Sequence, residues 1–484
     1  MAHVCYIPRG PGHAWDLGTS RVVSQKWNAA SDQWDEPTNW DQGEIPDAAM
    51  SINVHPESFV IVTGPTSDMR IFSLDIGALD TGVATLDLQP GVSLTVLNHV
   101  TISNRGALAG SGHFHALGGL ANEGHVELDG MTIASPIITN SRVISGSGVV
   151  DGLITNSGRI EVISEELKFL CKIVNAANGG NVMGRNATLR FDGGVINQGD
   201  IGLSFGTSDI FGNIDNDGGT IIISGASNVT FYDDLINDGI LKVSDGSTAV
   251  HFGSVSGNGS FVGSGTNLFE GDLSPGSSPG AMVFSGDVVL GESSSTRIEL
   301  GGVGPGEFDQ LKIAGSASLA ATLDAILIED FSPSLGQTFT IISADGGVTG
   351  AFDTENISAL DGGLPLEVVY HPTVVALEVI PNLLLGDANN DTQVTGADLV
   401  IAQQNFENVG PNMPTDGLFL GDANDDGQVT GADLIAVQQN FGNMLNPAGG
   451  SIPEPGTIGI LTLGWLYFVR RRRQQAGSSL LPAS

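Results

Sequence analysis

The chain is poor in basic residues, aromatic residues and cysteine, and each shortage excludes a class of protein. Lys and Arg number 18 against 54 Asp and Glu in 484 residues, which gives a formal net charge of −36. Such a chain repels nucleic acid and attracts divalent cations, so no nucleic-acid partner is expected. Two cysteines, Cys5 and Cys171, are too few for a disulfide scaffold and are expected to be unpaired thiols.

Helical periodicity is also scarce before residue 380, whereas glycine is abundant. The 68 glycines and the 6% aromatic content predict many short strands and tight turns. Between about residues 55 and 270 a unit of about 20 residues recurs: an apolar strand, an Asn-Gly turn and an alternating strand. Examples are "LANEGHVEL", "ITNSGRIEV", "VINQGDIGL", "IDNDGGTIII" and "LINDGILKV". The turn asparagines are Asn122, Asn156, Asn197, Asn216 and Asn237, with Asn140 and Asn178 filling the gaps.

This repeat predicts a mainly β protein with a β-solenoid, or parallel β-helix, over residues 27–270. Asn and Gly accept the positive φ that tight corners require, so both are expected at the corners. Ordinary hairpins in sandwich domains are the alternative. Near the start, Trp27, Trp34 and Trp40 predict a cap over the first coil, with a sugar-stacking patch as the alternative.

Residues 271–380 lose the Asn-Gly turn but keep alternating strands, which predicts a β-rich closing segment. The stretches "GDLSPGSSPGAMVFSGDVVLG" and "GQTFTIISADGGVTGAF" resemble the closing part of autotransporter-associated β-strand repeat proteins. The Trp-rich start and the Asn-Gly coils are similar to the same group, so the resemblance covers residues 27–380. It implies an extracellular β-helix of the passenger type.

Two near-identical stretches, "GDANNDTQVTGADL" and "GDANDDGQVTGADL", begin at residues 386 and 421. Their oxygen-bearing side chains recur at positions 1, 3, 5, 7, 9 and 12 of a 12-residue loop, which is the spacing of a Ca²⁺ site. Position 6 favours glycine, so Thr392 predicts a weaker first site than Gly427 gives the second. The predicted ligands are Asp387, Asn389, Asp391, Gln393, Thr395 and Asp398, and then Asp422, Asn424, Asp426, Gln428, Thr430 and Asp433.

Each loop leads into a predicted amphipathic helix whose apolar stripe can pack against the other. The stripes are Leu399, Ala402 and Phe406, and Leu434, Val437 and Phe441. Residues 383–445 thereby resemble a type I dockerin module. The resemblance implies bound Ca²⁺ and a cohesin-like partner, contacted by helix faces and often by hydroxyls at positions 10 and 11. Those positions hold Gly396, Ala397, Gly431 and Ala432, so a calcium-stabilised spacer or another surface protein as partner is the alternative.

The chain ends in three consecutive features after a linker at residues 446–452: a Pro-Glu-Pro motif, an apolar run and an arginine cluster. Residues 453–473 resemble a PEP-CTERM sorting signal of exopolysaccharide-producing Gram-negative and planctomycete-like bacteria, with residues 474–484 as a tail. This implies export and attachment to the membrane through an apolar helix; a simple C-terminal anchor is the alternative. Residues 1–26 lack a secretory leader pattern, and their role stays open. The signal residues are Pro453, Glu454, Pro455, Arg470, Arg471, Arg472 and Arg473.

Two functions follow from these features. The first is an exported cell-surface or matrix protein, structural or adhesive, whose calcium module mediates protein assembly and which contacts extracellular polysaccharide. The alternative is a polysaccharide-degrading hydrolase or lyase that carries a dockerin, because a glycosidase needs two carboxylates. Solvated acids and surface histidines are favoured over catalytic ones, because acids occur at every turn of the chain. The candidates are Asp192, Asp233 and Asp234, beside Arg185 and Arg190, and His113, His115 and His125.

Overall fold

A computed structural model describes residues 23–29, 32–78, 82–276, 279–357, 365–380, 384–389, 393–407, 420–424 and 428–444. The N-terminal leader region, apart from residues 23–26, and the predicted sorting segment at residues 453–473 lie outside this part of the chain. The described residues are mainly β, with 42 strands, one short 3₁₀ turn at Pro37–Asn39 and two short α-helices. None of these helices is long and apolar enough to cross a membrane.

The strands are short and follow one another with tight corners. They are β1 (Val23–Lys26), β2 (Asp32–Gln33), β3 (Met50–Val54), β4 (Phe59–Thr63), β5 (Met69–Ile71), β6 (Ser73–Ile76), β7 (Val83–Leu88), β8 (Ser93–Val96), β9 (Val100–Ile102), β10 (Gly106–Gly110), β11 (His113–Ala116), β12 (Leu120–Asn122), β13 (His125–Asn140), β14 (Val143–Asn156), β15 (Arg159–Ile163), β16 (Glu166–Phe169), β17 (Ile173–Asn175), β18 (Asn181–Arg185), β19 (Thr188–Phe191), β20 (Val195–Asn197) and β21 (Asp200–Ser204). Next come β22 (Thr207–Phe211), β23 (Ile214–Asn216), β24 (Thr220–Ser224), β25 (Asn228–Phe231), β26 (Leu235–Asn237), β27 (Ile240–Val243), β28 (Thr248–His251), β29 (Val255–Ser256), β30 (Ser260–Val262), β31 (Thr266–Phe269), β32 (Ala281–Phe284), β33 (Asp287–Leu290), β34 (Ser295–Leu300), β35 (Gln310–Ile313), β36 (Ala317–Leu319), β37 (Thr322–Leu327), β38 (Thr338–Ala344), β39 (Val348–Gly350), β40 (Thr354–Ile357), β41 (Leu366–Tyr370) and β42 (Val374–Val379).

These strands stack in parallel into three sheets that share one core. Sheet A runs from β2 and β4 through β7, β10, β15 and β21 to β38; sheet B runs from β5 through β11, β19 and β28 to β39. Sheet C runs from β1 through β12, β20 and β26 to β40, with an isolated bridge at Leu273 that joins β29 to β34. The long strands β13 and β14 take part in all three sheets. The prediction of a β-solenoid is confirmed, and the alternative of sandwiched hairpins is wrong.

Period-2 alternation explains how each coil fills the interior. In β21, Ile201 and Leu203 point inward and are buried, while their neighbours face outward. The same inward position recurs in the next coil, where Ile221 pairs with Ile201. Stacking such positions builds one continuous apolar core along the whole solenoid.

The asparagines of the repeat are not positive-φ corner residues, which corrects that expectation. Seven buried asparagines end strands of sheet C, and none of them has positive φ. In the first six, the side-chain amide nitrogen donates to the side-chain oxygen of the asparagine in the next coil, at 2.7–2.8 Å. The fourth asparagine is Asn175, not the predicted Asn178. This asparagine ladder consists of Asn122, Asn140, Asn156, Asn175, Asn197, Asn216 and Asn237.

A glycine lies just before most sheet A strands of the ladder coils, and close backbone approach requires it. A Cβ at Gly199 would lie 2.2 Å from the carbonyl oxygen of Gly180, and one at Gly239 would lie 2.2 Å from that of Gly219. Neither Gly199 nor Gly239 has positive φ. The Asn-Gly signature therefore marks a buried amide ladder beside a column of touching backbones, and the corner conformation does not explain it.

Parallel pairing continues beyond residue 270. Strand β30 pairs with β32, and β31 pairs with β33. The coils become longer there, because paired residues in adjacent coils lie further apart in sequence. Ile222 pairs with Lys242, whereas Val283 pairs with Lys312. The extra residues lie between sheet C and sheet A, at the corner that the asparagine ladder occupies in the earlier coils. The loss of the Asn-Gly turn at residue 271 thus coincides with longer corners within the same stack of coils.

Both ends of the core are covered. Trp27, Trp34 and Trp40 are buried, and their rings pack edge to face at 5.0 Å (Trp27 to Trp40) and 4.8 Å (Trp34 to Trp40). This matches the expected cap and excludes the sugar-stacking alternative, because the ring faces are covered. At the other end, β42 pairs antiparallel with β38 and β41, which terminates the parallel ladder of sheet A.

One expectation about cysteine was wrong. Cys171 is buried and disulfide-bonded, whereas the sequence favoured a free thiol. Cys5, the other cysteine of the chain, lies outside the described residues.

Candidate functional site

The two aspartate-rich loops each open a nine-residue helix, α1 (Gly396–Gln404) and α2 (Gly431–Gln439). Thr395 caps α1, because its hydroxyl accepts a hydrogen bond from the backbone N–H of Ala397 at 3.1 Å. In return, the Asp398 carboxylate accepts from the backbone N–H of Thr395 at 2.7 Å. Thr430 and Asp433 form the same reciprocal cap on α2. The sequence Thr-x-x-Asp therefore fixes where both helices begin.

The last aspartate of each loop also ties back the loop's own beginning. Asp398 is fully buried, and its second oxygen accepts from the backbone N–H groups of Ala388 and Asn389 at 2.9 and 3.1 Å. Asp433 does the same for Ala423 and Asn424, at 2.8 and 3.2 Å. Each carboxylate thus closes its loop into a ring, with position 12 beside positions 2 and 3.

The two loop-helix units pair with approximate two-fold symmetry. The N–H of Gly386 donates to the carbonyl of Ala423, and the N–H of Gly421 donates to that of Ala388, both at 2.8 Å. A second reciprocal pair joins the end of each helix to the other loop: Glu407 to Val429 and Gly442 to Val394, again at 2.8 Å. The small core between the units contains Ala388, Val394, Ala402, Ala423, Ala436 and Val437.

Most predicted calcium ligands fall within this ring, and two do not fall within the described residues. Asp387 is buried at position 1, and Gln393 at position 7 forms a bridge with Met444. Asp391 and Asp426, at position 5, lie outside the described residues, and among the described residues no three acidic, His or Cys side chains converge on one point. The described donors are carboxylate, amide and hydroxyl oxygens, a set that suits Ca²⁺ chemically. They are Asp387, Asn389, Gln393, Thr395 and Asp398, and Asp422, Asn424, Gln428, Thr430 and Asp433.

The expected apolar stripes need one correction. Ala402 and Val437 are buried as expected, but Phe406 and Phe441 are 45% and 61% exposed. These two rings each lie two residues past the last residue of α1 or α2. Val400 and Ile435, at equivalent positions on the helices, are also exposed, at 49% and 54%. The sequence reasoning missed this surface, although the matching positions in the two copies carried the signal.

The candidate catalytic acids act as structural partners at the corners between sheets B and C. Asp192 pairs with Lys168 at 3.0 Å. Asp233 accepts from the backbone N–H of Gly212 at 2.7 Å, and Asp234 accepts from that of Ser254 at 2.9 Å. Each of the latter two carboxylates thus ties one coil to the next, which favours the interpretation of structural acids over a catalytic pair.

The three candidate histidines do not form one group. His113 and His115 lie on the outer side of β11 in sheet B, whereas His125 begins β13 in sheet A. Burial and the neighbouring His113 lower the pKa of His115. His125 faces Ser145, with 2.8 Å between its Nε2 and the serine Oγ. A two-histidine metal site on β11 would need further ligands, and none of the described His, Cys, Asp or Glu residues completes one.

An aromatic stack on the outside of the solenoid was also absent from the sequence reasoning. Phe211 stacks on Tyr232 at 4.4 Å, Tyr232 stacks on Phe252 at 5.7 Å, and the Arg190 guanidinium covers Phe211 at 4.3 Å. The facing sides of the three rings cover one another, while Tyr232 and Phe252 remain 40% and 51% exposed. Such a stack ties successive coils together.

Comparison of the chain with protein-family models gives no match, and comparison with curated proteins also gives none.

Proposed function

We propose that the protein is an exported cell-surface or matrix protein in which a β-solenoid carries a calcium-binding, dockerin-like pair of loop-helix units. One observation carries the proposal: two oxygen-rich loops close in the same way, each through a buried aspartate that accepts the same four hydrogen bonds. A lone acidic surface loop would have no reason to be duplicated with this geometry.

Calcium explains the concentration of acids in these loops. The first loop brings three aspartates within 12 residues and the second brings four, and like charges at such separations repel one another unless a cation lies between them. Asp387, Asp391 and Asp398 would hold the ion in the first loop, and Asp422, Asp426 and Asp433 would hold it in the second, with amide oxygens completing the shell. The apolar core of the pair is made mostly of alanine and valine, so ion binding would supply folding free energy that the core lacks.

The symmetric apolar surface supports a role in protein assembly. Val400 and Ile435 are exposed at equivalent helix positions, and Phe406 and Phe441 are exposed just after the helices. An aromatic residue flanked by aliphatic side chains is a common anchor at protein interfaces. The partner would be a cohesin-like or other surface protein that contacts an apolar helix face. Positions 10 and 11 of the loops carry Gly and Ala, where dockerins often carry hydroxyls.

An extracellular location is consistent with two further features. Cys171 is disulfide-bonded, and disulfide bonds persist mainly in oxidising compartments. The C-terminal sequence resembles a sorting signal, with Pro453, Glu454 and Pro455 before the apolar run and four arginines after it. Attachment to the membrane through residues 453–473 remains part of this proposal.

The test is a calorimetric Ca²⁺ titration of the full chain, with hydrogen exchange followed in parallel. We expect two binding events, and protection of the α1 and α2 amides that is strong with calcium and lost in chelator, while the solenoid amides keep theirs. Asp387→Asn together with Asp422→Asn should abolish both events. Asp238→Asn, on an exposed solenoid corner, is the matched control and should leave both intact. No heat on calcium addition, or full helix protection in chelator, would refute the proposal.

A further inference from the structure

The glycine column beside the asparagine ladder is interrupted once. From β13 to β27, the residue just before each sheet A strand is glycine at Gly124, Gly158, Gly180, Gly199, Gly219 and Gly239, but it is Arg142 before β14. Glycine is favoured here by contact: a Cβ at Gly124 would lie 2.3 Å from the Gly106 carbonyl oxygen, and one at Gly158 would lie 2.4 Å from the backbone of Arg142. At this one coil, an arginine with its guanidinium group stands where the other coils have glycine.

Arg142 lies in a groove on the outside of sheet A. The groove has a volume of about 570 Å³, and small residues such as Ala107 and Gly124 line it. Arg105 and Arg159 line it from coils on either side, and Arg142 reaches back to donate a hydrogen bond to the side-chain oxygen of Asn104. From the coil of Arg105 to that of Arg159 there are three coil steps, or roughly 14 Å along the solenoid axis.

The charge of this groove contrasts with that of the chain. Only 18 residues of the protein are Lys or Arg, yet three arginines converge here. Arg159 is paired with Glu161 at 3.1 Å, whereas Arg105 and Arg142 form no ion pair within the described residues. Two exposed guanidiniums are therefore left to meet an anion, with His125 and Ser145 hydrogen-bonded beside them.

We propose that this groove binds an acidic polysaccharide, with Arg105 and Arg142 each holding a carboxylate or sulfate group of one extended chain. Guanidinium groups match the planar geometry of such anions. The carboxylates of Glu127 and Glu161 also line the groove and can accept hydrogen bonds from sugar hydroxyls. Those same carboxylates disfavour a phosphate-dense nucleic acid, as does the net charge of −36. The proposal does not depend on calcium binding by the loop-helix pair.

The experiment measures binding of trigalacturonate to the full chain by calorimetry, in chelator, so that calcium bridging cannot contribute. We expect saturable binding that weakens about tenfold in Arg142→Gly and about tenfold in Arg105→Gln. Arg142→Gly restores the glycine of the neighbouring coils, so the fold should survive it; Arg142→Gln serves as a second variant. Lys242→Gln, on the same sheet but several coils away, is the charge-matched control and should bind as the unaltered chain does.

Three further arms separate the sources of the anion and the kind of ligand. Maltotriose, which has hydroxyls but no charge, should not bind, and a sulfated trisaccharide that competes would extend the ligand class within the proposal. Equal affinity of the unaltered chain and the Arg105→Gln, Arg142→Gln double variant would overturn the proposal. Single-stranded DNA bound as tightly as trigalacturonate would also overturn it, as would binding that requires calcium. The outcome is independent of whether α1 and α2 respond to calcium, so failure of one proposal does not imply failure of the other.

Discussion

The solenoid and the loop-helix pair bury polar groups in opposite ways. The solenoid buries neutral amides, and the asparagine ladder satisfies them by donating from coil to coil. The pair buries three carboxylates, Asp387, Asp398 and Asp433, and backbone N–H groups hold the last two at the loop they close. A neutral ladder needs no counter-charge, whereas a loop with three aspartates accumulates negative charge that a cation can neutralise.

The apolar cores of the two parts also differ, because the solenoid core is built from large side chains and the core of the pair from small ones. In the solenoid, Phe169 stacks on Phe191 and large aliphatic side chains fill every coil, so removal from water stabilises each coil against its neighbours. The pair depends on a few alanines and valines. The comparison teaches that one part of this protein can be stable by its own packing while the other gains from a ligand, and the following changes test that division.

The largest effect is expected from breaking the asparagine ladder in its middle. Asn197→Ala leaves one N–H of the Asn175 amide without its acceptor and the side-chain oxygen of Asn216 without its donor, both buried. Two buried unsatisfied groups should lower the free energy of unfolding by about 4 kcal/mol. Chemical denaturation of the solenoid, followed in chelator, measures this. Gln198→Ala, at the exposed neighbour whose side chain donates to Asp217, is the control and should cost well under 1 kcal/mol. Equal stabilities of the two variants would contradict the role assigned to the ladder.

A second change tests the contact between backbones beside the ladder. Gly199→Ala places a Cβ 2.2 Å from the Gly180 carbonyl oxygen, so adjacent coils must separate locally. We expect a loss of about 3 kcal/mol in the free energy of unfolding. Gly202→Ala, in the strand that begins one residue after Gly199, meets no atom within 4 Å and should be nearly neutral. A large loss in both variants would mean that chain flexibility, not close approach, selects glycine in this coil.

The third change concerns the pH dependence of the solenoid. His251 lies fully buried between Phe231 and Phe269, at 5.2 and 4.9 Å, and burial lowers its pKa to about 4. The unfolded chain, with an ordinary histidine pKa of 6.5, takes up the proton first, so stability falls as pH drops from 6.5 toward 4. Between pH 7 and pH 5 the loss should be about 2 kcal/mol.

His251→Phe should remove that loss, because phenylalanine already occupies the same column on both sides. Burial raises the pKa of Asp309 to about 6, so this carboxyl contributes the opposite trend as it is protonated, and both chains contain it. The difference in unfolding free energy between variant and unaltered chain therefore isolates the histidine. A difference that does not change with pH would show that His251 takes up a proton as readily in the folded solenoid as in the unfolded chain.

The solenoid could be predicted from the sequence because its repeat is visible as a pattern, but the reason for the pattern could not. Asn-x-Gly indicated a corner, yet only stacked coils reveal that Asn197 meets Asn216 and that Gly199 touches Gly180. Asn178 was chosen over Asn175 because insertions shift the register by a few residues, and registry is set by pairing across coils. The exposure of Phe406 and Phe441 was likewise hidden, because helical spacing does not say where a helix stops.

The loops were predicted at the level of chemistry, since fixed spacing of oxygen-bearing side chains is a property of sequence. The dual use of Asp398, as helix cap and as closure of the loop, was not predicted, because it depends on hydrogen bonds to Ala388 and Asn389. The Arg142 groove was also missed. Its signal was present as the arginine that replaces glycine in Asn-x-Gly after Asn140, but its meaning required the coils on either side.

The smallest effect is expected within the loop-helix pair, where the two loops differ at position 6. The second loop has Gly427 and the first has Thr392, and a β-branched residue is poorly suited to the sharp turn that this position makes in calcium loops of this spacing. Thr392→Gly should relieve about 1 kcal/mol and tighten calcium binding at the weaker site roughly fivefold. The reciprocal change, Gly427→Thr, should weaken the stronger site by a similar factor. Calorimetry of the unaltered chain should report two calcium sites of unequal affinity, and either variant should make the two affinities nearly equal. If Thr392→Gly leaves the weaker affinity unchanged, the inequality arises elsewhere in the loops, and the solenoid's independence from calcium is untouched by that result.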